Sequence, residues 1–319
     1  MPMENKILVE VQNLKKYFAQ AKGFVHAVDD VSFKLEVGKT LGVVGESGCG
    51  KTTLGRVILR LYDVTSGKII YNGTDITNYN HKQMRSIRRE MQMIFQDPYA
   101  SLDPRKSVMS TIGEPLKIYK SYSSKAEYEE KVLEIMRTVG LADKYASSFP
   151  HELDGGRRQR IGIGRALATN PKFIVCDEPV SALDVSIQAQ ILNLLMDLQD
   201  SKGLTYIFIT HDLSVVKHIS HNIMVMYLGQ CIEYANKNDL FKNPLHPYTK
   251  GLLNAVPIPS LTGRKLSTEV MRGELTSPID PKPGCRFAAR CPHASSKCTA
   301  SDIPLREVAP GHMVACTLY

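Results

Sequence analysis

Gly45-Glu46-Ser47-Gly48-Cys49-Gly50-Lys51-Thr52 is the stretch that decides how the rest of the chain is read. A short apolar run, Thr40–Val44, leads into it, and Lys51–Leu61 leaves it with apolar residues at helical spacing. The periodicities therefore predict strand, glycine-rich loop and helix in that order. The stretch fits the pattern G-x-x-x-x-G-K-[ST]. Its glycines let backbone N–H groups turn inward around phosphate oxygens, and the helix N-terminus adds positive potential. Lys51 is placed to reach the β- and γ-phosphates of a nucleoside triphosphate, and the Thr52 hydroxyl to ligate Mg²⁺. With Thr53 in the same first turn, residues 45–53 form the expected phosphate cradle. A glycine-rich turn without a ligand is the alternative, and the strand–loop–helix context argues against it.

Outward from this loop, the first 80 residues read as strands and turns broken by one short helix. Val31–Val37 alternates apolar and polar residues, as a half-buried strand does. Residues 97–169 read as helices, among them Ser124–Thr138, closed by Gly140. From Phe173 strands and helices alternate: strand Phe173–Cys176, helix Asp184–Lys202, strand Thr205–Thr210, helix Leu213–Ser220, strand Ile223–Tyr227. Such alternation implies an α/β fold with a mostly parallel sheet. The expected layout is a nucleotide-binding core over 1–96 and 166–243, including an antiparallel β part. A helical insertion would occupy 97–165, and a Pro-, Gly- and Cys-rich extension 244–319.

Two acids end an apolar strand in Phe173-Ile-Val-Cys-Asp-Glu178. Open α/β sheets bind ligands at the C-terminal ends of their strands. Asp177 is placed to hold Mg²⁺ through water, and Glu178 to orient or deprotonate the attacking water. A plain loop is the bland reading, which the phosphate loop upstream disfavours. His211 follows the strand Tyr206–Thr210 and can reach a γ-phosphate from there; a structural histidine is the alternative. The 319 residues are 43% hydrophobic and 23% charged, a globular composition. No apolar run approaches the roughly 20 residues of a membrane span, and the N-terminus has no signal-peptide core, so a cytosolic chain is expected. The net charge of +8 is spread along the sequence and points to no polyanion site.

These motifs, combined with Gln96 in Ile94-Phe-Gln-Asp-Pro-Tyr, with Ser181-Ala-Leu-Asp184 and with Leu153-Asp-Gly-Gly-Arg-Arg-Gln-Arg160, resemble the ordered set of ATP-binding-cassette ATPases over roughly residues 7 to 260. The resemblance implies that Gln96 senses Mg²⁺ and the transmembrane partner, and that Asp184 communicates across a dimer. It also implies that Phe18, or its neighbour Tyr17, stacks on adenine. The implied assembly is a head-to-tail dimer, each ATP lying between the phosphate loop of one cassette and the signature loop of the other. The signature here is Leu153, Asp154, Gly155, Gly156 and Arg157, where the family has L-S-G-G-Q. Asp154 remains a good helix N-cap, with Arg157 its i+3 partner. Beside a γ-phosphate its charge costs on the order of 4 kcal/mol at 4 Å and an effective dielectric of 20, before Arg157 offsets it. The resemblance therefore implies two unequal ATP sites and a heterodimer with a second, similar ATPase.

Phe95–Arg105 and Asn243–Leu253 look like the oligopeptide and dipeptide importers. That branch implies an ATPase powering peptide import at the cytoplasmic face of the membrane, with two membrane-spanning permease subunits, an extracellular substrate-binding protein and no nucleic acid. A nickel or other small-solute importer, or a soluble cassette protein, is the alternative. Of seven cysteines, Cys285, Cys291, Cys298 and Cys316 fall in the last 35 residues, separated by five, six and seventeen residues. No close C-x₂₋₄-C pair of the usual zinc kind occurs among them. Four thiolates can ligate a [4Fe–4S] cluster, and peptide-importer ATPases that look like this chain carry one in this segment. Zinc, or free cysteines in a small capping segment, are the other readings.

Overall fold

The computed structural model describes residues 6–255 and 277–319; part of the expected extension, 256–276, lies outside them. In chain order the elements begin with β1 (Ile7–Gln20), β2 (Gly23–Glu36), β3 (Thr40–Val44), α1 (Lys51–Ile58), β4 (Ser66–Tyr71) and β5 (Thr74–Asp75). Next come α2 (His81–Glu90), β6 (Met91–Ile94), α3 (Pro98–Ser101), α4 (Val108–Ile118), α5 (Lys125–Thr138), α6 (Gly155–Leu167), β7 (Phe173–Asp177), α7 (Val185–Lys202) and β8 (Thr205–Ile209). Last are α8 (Leu213–Ile219), β9 (Asn222–Tyr227), β10 (Gln230–Asn236), α9 (Lys237–Lys242), α10 (Pro247–Asn254), α11 (Lys297–Ala300), β11 (Arg306–Ala309) and β12 (His312–Val314). The chain forms two compact units, one of residues 1–78 with 208–319 and one of residues 79–207.

The first unit contains an antiparallel sheet in the order β2-β1-β4-β5. Its long strands are half-buried: Leu14 and Val31 are fully enclosed while their chain neighbours are not, the alternation expected of a sheet with one dry face. A second strand run is ordered β11-β12-β10-β9-β3. All five residues of β3 are buried, and β3 pairs in parallel with β9. β12 pairs antiparallel with β10, and β11 antiparallel with β12. The C-terminal segment therefore extends this strand run, where the sequence pointed only to an appendage. The helix after the phosphate loop stops at Ile58, three residues before the predicted Leu61. Leu59 is still buried, so the apolar pattern outlasts the helix, while Arg60 adopts a left-handed φ of 54° that ends it.

In the second unit β6 and β7 pair in parallel, and helices fill most of the remainder. Four of them start on a side-chain cap of the usual residue types: Ser107, Ser124, Asp154 and Asp184 each accept the N–H of the residue three on. The left-handed Gly140, at φ 71°, lies just beyond α5, as its position in the sequence suggested. α2 was not anticipated. Its residues are mostly charged and only Met84 is buried, yet Asn80 and Gln83 make a full capping box at its start.

Candidate functional site

In the first unit, β3 delivers the chain to the phosphate loop and α1 takes it away. Gly50 is the N-cap of α1 with a φ of 104°, and a Cβ there would lie 2.0 Å from the Ala27 carbonyl oxygen. Only glycine meets both conditions. Lys51 is buried, and its ammonium donates to the carbonyl oxygens of Gly45 at 2.8 Å and Glu46 at 3.0 Å, with the Cys49 sulfur at 3.8 Å. The lysine thus holds the loop around its own charge. Cys49 is enclosed, and its thiol pKa is raised by burial, so it is a packing residue and not a nucleophile. Ser47 and Gly48 are exposed at the tip; Thr52 and Thr53 are half-buried in the first turn of α1.

Beyond β8, the Thr210 N–H donates to the Val43 carbonyl at 3.2 Å, and its hydroxyl accepts the Asp212 N–H at 3.1 Å. These bonds fix the loop on which His211 stands exposed. Asp212 caps α8 by accepting the Ser214 N–H. The two aromatics proposed for adenine differ in what they do. Tyr17 stacks on His26 with ring centroids 3.8 Å apart, and its hydroxyl donates to Asp29. Burial and that carboxylate raise its pKa. Phe18 meets Tyr62 edge-on at 5.5 Å and has Lys16 over its ring at 4.9 Å. Phe18 therefore makes no polar bond through its side chain, whereas Tyr17 is a member of a hydrogen-bonded cluster.

In the second unit, Asp177 is the last residue of β7 and is buried. Glu178 follows with a left-handed φ of 46°, unusual for a glutamate. Such local strain is held where surrounding structure over-determines it. Here the Glu178 carbonyl accepts the Ser181 hydroxyl at 3.1 Å, and its carboxylate accepts Gln96 Nε2 at 3.1 Å. Gln96 and Glu178, 82 positions apart, are thus brought into direct contact. Asp184 caps α7 by accepting the Ile187 N–H at 3.0 Å. At the signature, Leu153 is buried, and Asp154 caps α6 by accepting the Arg157 N–H at 2.7 Å. The Arg157 guanidinium also bonds the Asp154 carboxylate and lies over the Tyr145 ring, 5.0 Å from its centroid. The offset anticipated for Asp154 is built, although both side chains are near half exposed, so the pair is worth little in stability. Gly155 and Gly156 start α6, where a Cβ on Gly156 would meet Ile187 at 2.6 Å.

All four C-terminal cysteines are free thiols. Cys285 N–H donates to the Cys298 carbonyl at 2.7 Å, so the segment folds back on itself. The four-cysteine expectation finds no formed site: among the described residues, no group of three or more His, Cys, Asp or Glu side chains is arranged to hold a metal ion. Each thiol has a different environment. Cys285 and Cys291 pack against the apolar cluster around Phe287, Cys316 packs with Leu245 and Val314, and Cys298 faces the Thr317 hydroxyl at 3.2 Å. Thiols are the donor type a [4Fe–4S] cluster takes, and no chemistry is derived through one.

Several contacts around the loop have no sequence signal of their own. Glu46 donates its N–H to the Tyr248 hydroxyl at 2.8 Å and pairs its carboxylate with Arg290 at 2.8 and 3.0 Å. Asp29 pairs with Arg286 as well as with Tyr17 and His26. Tyr248, Arg290 and Arg286 lie some 200 to 260 positions from the residues they bond, so only the fold reveals them.

With the geometry in hand, the relatives can be placed. Residues 28–181 match the family model described as ABC transporter, and residues 232–298 that described as oligopeptide/dipeptide transporter, C-terminal region. The chain is 50% identical to the oligopeptide transport ATP-binding protein AppF of Bacillus subtilis (strain 168), over 98% of this chain and 97% of that one. It is 48% identical to the oligopeptide transport ATP-binding protein OppF of Escherichia coli (strain K12), covering 98% and 93%. Among solved structures it resembles the ATP-binding cassette MJ0796 in a dimeric, post-hydrolysis state bound to ADP and Pi, with a TM-score of 0.67 and 27% identity over 72% of this chain and 99% of that one. No helix among the described residues is long and apolar enough to cross a membrane. The chain belongs to the ABC transporter family, among its oligopeptide and dipeptide transport ATP-binding proteins.

Proposed function

We propose that this chain is the ATP-hydrolysing subunit that powers import of dipeptides or oligopeptides through a membrane ABC transporter. The observation that carries this reading is a likeness to peptide-transport ATP-binding proteins that runs through the C-terminal region as well as the cassette. The phosphate loop supplies the binding chemistry. The glycine-rich loop of residues 45–50 cradles the phosphates, Lys51 exchanges the Gly45 and Glu46 carbonyls for β- and γ-phosphate oxygens, and Phe18 lies against the adenine. Thr52, Gln96 and Asp177 are oxygen donors suited to the magnesium of MgATP. Glu178, oriented by Gln96, polarises or deprotonates the attacking water, and His211 addresses the γ-phosphate.

The working assembly would place this chain peripherally at the cytoplasmic face, with two permease subunits, an extracellular binding protein and no nucleic acid. A second ATPase with an unaltered signature would complete the catalytic site, since Asp154 and Arg157 replace the usual residues in the loop this chain contributes. The layout of core over 1–96 and 166–243, helical part over 97–165 and extension over 244–319 belongs to the same proposal. So does a [4Fe–4S] site on Cys285, Cys291, Cys298 and Cys316. Four free thiols in one segment support it; that no group of three or more is arranged to hold a metal ion among the described residues counts against it. Iron and sulfide analysis of anaerobically purified protein decides that point.

The transport reading is tested by reconstituting the chain with its permease, binding protein and second ATPase in vesicles. ATP-dependent uptake of labelled peptide is expected. Uptake of nickel without peptide would favour the alternative importer, and ATP hydrolysis without any uptake partner would favour a soluble cassette.

A further inference from the structure

The second residue of the phosphate loop is held from outside the loop. Glu46 has its N–H on the Tyr248 hydroxyl, its carbonyl on Lys51 and its carboxylate in a two-pronged bond with Arg290. The Arg290 side chain is only 8% exposed. It lies beside Tyr227 and Phe287, with ring centroids 5.9 and 5.8 Å from the guanidinium carbon. Tyr227, Tyr248 and Phe287 pack against one another at 4.8 to 5.4 Å and are all buried. Arg290 stands immediately before Cys291, in the interval from Cys285 that also supplies Phe287 and Arg286; Arg286 bonds Asp29 and the Leu228 carbonyl. The Glu46 carboxylate would otherwise add a negative charge to a loop proposed to receive a polyanion. A planar guanidinium cancels that charge and fixes its direction, which a lysine does less well.

We infer that Arg290 is a positioning residue for ATP: by neutralising and orienting Glu46, it makes the cysteine-bearing C-terminal segment part of the phosphate-binding machinery. The inference rests on the proposed nucleotide reading and adds to it a residue remote from the loop in sequence. It holds whether or not the cysteines carry a metal. The bond to the Glu46 carboxylate keeps Arg290 charged, raising its pKa above the ordinary value against the opposing effect of burial.

The test is equilibrium binding of MgATP to the full-length chain, with folding of each variant checked by circular dichroism. Wild-type binding that is lost in Lys51→Ala secures the underlying reading independently; if both proteins bind alike, that reading falls and this inference with it. Arg290→Ala should weaken binding about tenfold, a change of about 1.4 kcal/mol, and more at low salt, where the exposed Glu46 charge is less screened. Arg290→Lys should recover part of the loss. The decisive variant is Glu46→Gln with Arg290→Ala, which removes the charge that Arg290 neutralises and should return affinity to within about threefold of wild type. A merely structural role would leave this double variant as weak as Arg290→Ala. That result, or binding by Arg290→Ala within twofold of wild type, overturns the inference. If Arg290→Ala does not fold, Arg290→Lys carries the test alone: several-fold weaker binding supports the inference, and unchanged binding overturns it.

Discussion

Replacing Gly50 by alanine tests how the phosphate loop is built. Two costs are legible at that position. The φ of 104° is one that alanine rarely adopts, which costs of order 1–2 kcal/mol. The new Cβ would also lie 2.0 Å from the Ala27 carbonyl oxygen. Real Cβ contacts almost never fall under 3.0 Å, so β2 or the loop must retreat by about 1 Å. Overlaps of this kind cost about 1–3 kcal/mol more. Gly48→Ala separates the two terms: its φ is 78°, but a Cβ there meets nothing within 4 Å. Urea unfolding of the ligand-free chain should therefore show a loss of about 1–2 kcal/mol for Gly48→Ala and about 2–5 kcal/mol for Gly50→Ala. Equal losses, within about 0.5 kcal/mol, would refute the argument that close approach to Ala27 makes Gly50 obligatory.

Two further outcomes follow from the same geometry. Burial, with Lys250 adding to it, lowers the His246 pKa to about 4 from 6.5. The unfolded chain therefore takes up a proton that the folded chain refuses, and stability should fall by about 1.4 kcal/mol per pH unit as pH drops from 6.5 towards 4. His246→Asn, whose side-chain oxygen can still accept the Tyr248 N–H, should flatten that limb by one proton in urea titrations at several pH values; an unchanged slope counts against the assignment. Asp154→Ala should cost about 1 kcal/mol by removing the cap of α6, whereas Asp154→Ser keeps a capping oxygen and should cost only a few tenths. Equal losses in thermal unfolding would mean that Asp154 stabilises through its charge on Arg157 and not as a cap.

The parts of this fold that could be read from sequence are those whose determinants are local. β3, the phosphate loop and α1 announce themselves in one continuous stretch from Thr40 to Ile58, and α7 starts on its own cap at Asp184. The long β1 did not, because Leu14-Lys-Lys-Tyr17 breaks the alternation where its pairing with β2 shifts register. β10 to β12 were missed for a different reason. Short, partly polar strands acquire their identity from their neighbours, and the buried Glu233 shows this. Its carboxylate accepts the N–H groups of Leu245 and His246 and pairs with His312, so a polar residue in β10 anchors two distant stretches. Of the site residues, Gln96 and Glu178 could be nominated separately, but their contact depends on β6 lying beside β7. Arg290 had no pattern to betray it. The cysteine spacing was legible and still insufficient, because ligation depends on where four sulfurs point and sequence spacing does not specify that.

The central claim is that a phosphate loop and a strand-edge glutamate make this chain an ATPase in which Glu178 activates water. Glu178→Gln addresses it most directly, because glutamine matches the shape and can still accept the Gln96 amide, but cannot take a proton. The measurement is paired: MgATP binding and steady-state hydrolysis by the wild-type and Glu178→Gln chains, each with its partner ATPase. The account predicts unchanged binding within about twofold and hydrolysis slowed by about 10²–10⁴-fold, the usual worth of a general base. Hydrolysis by Glu178→Gln at near wild-type rate would contradict it.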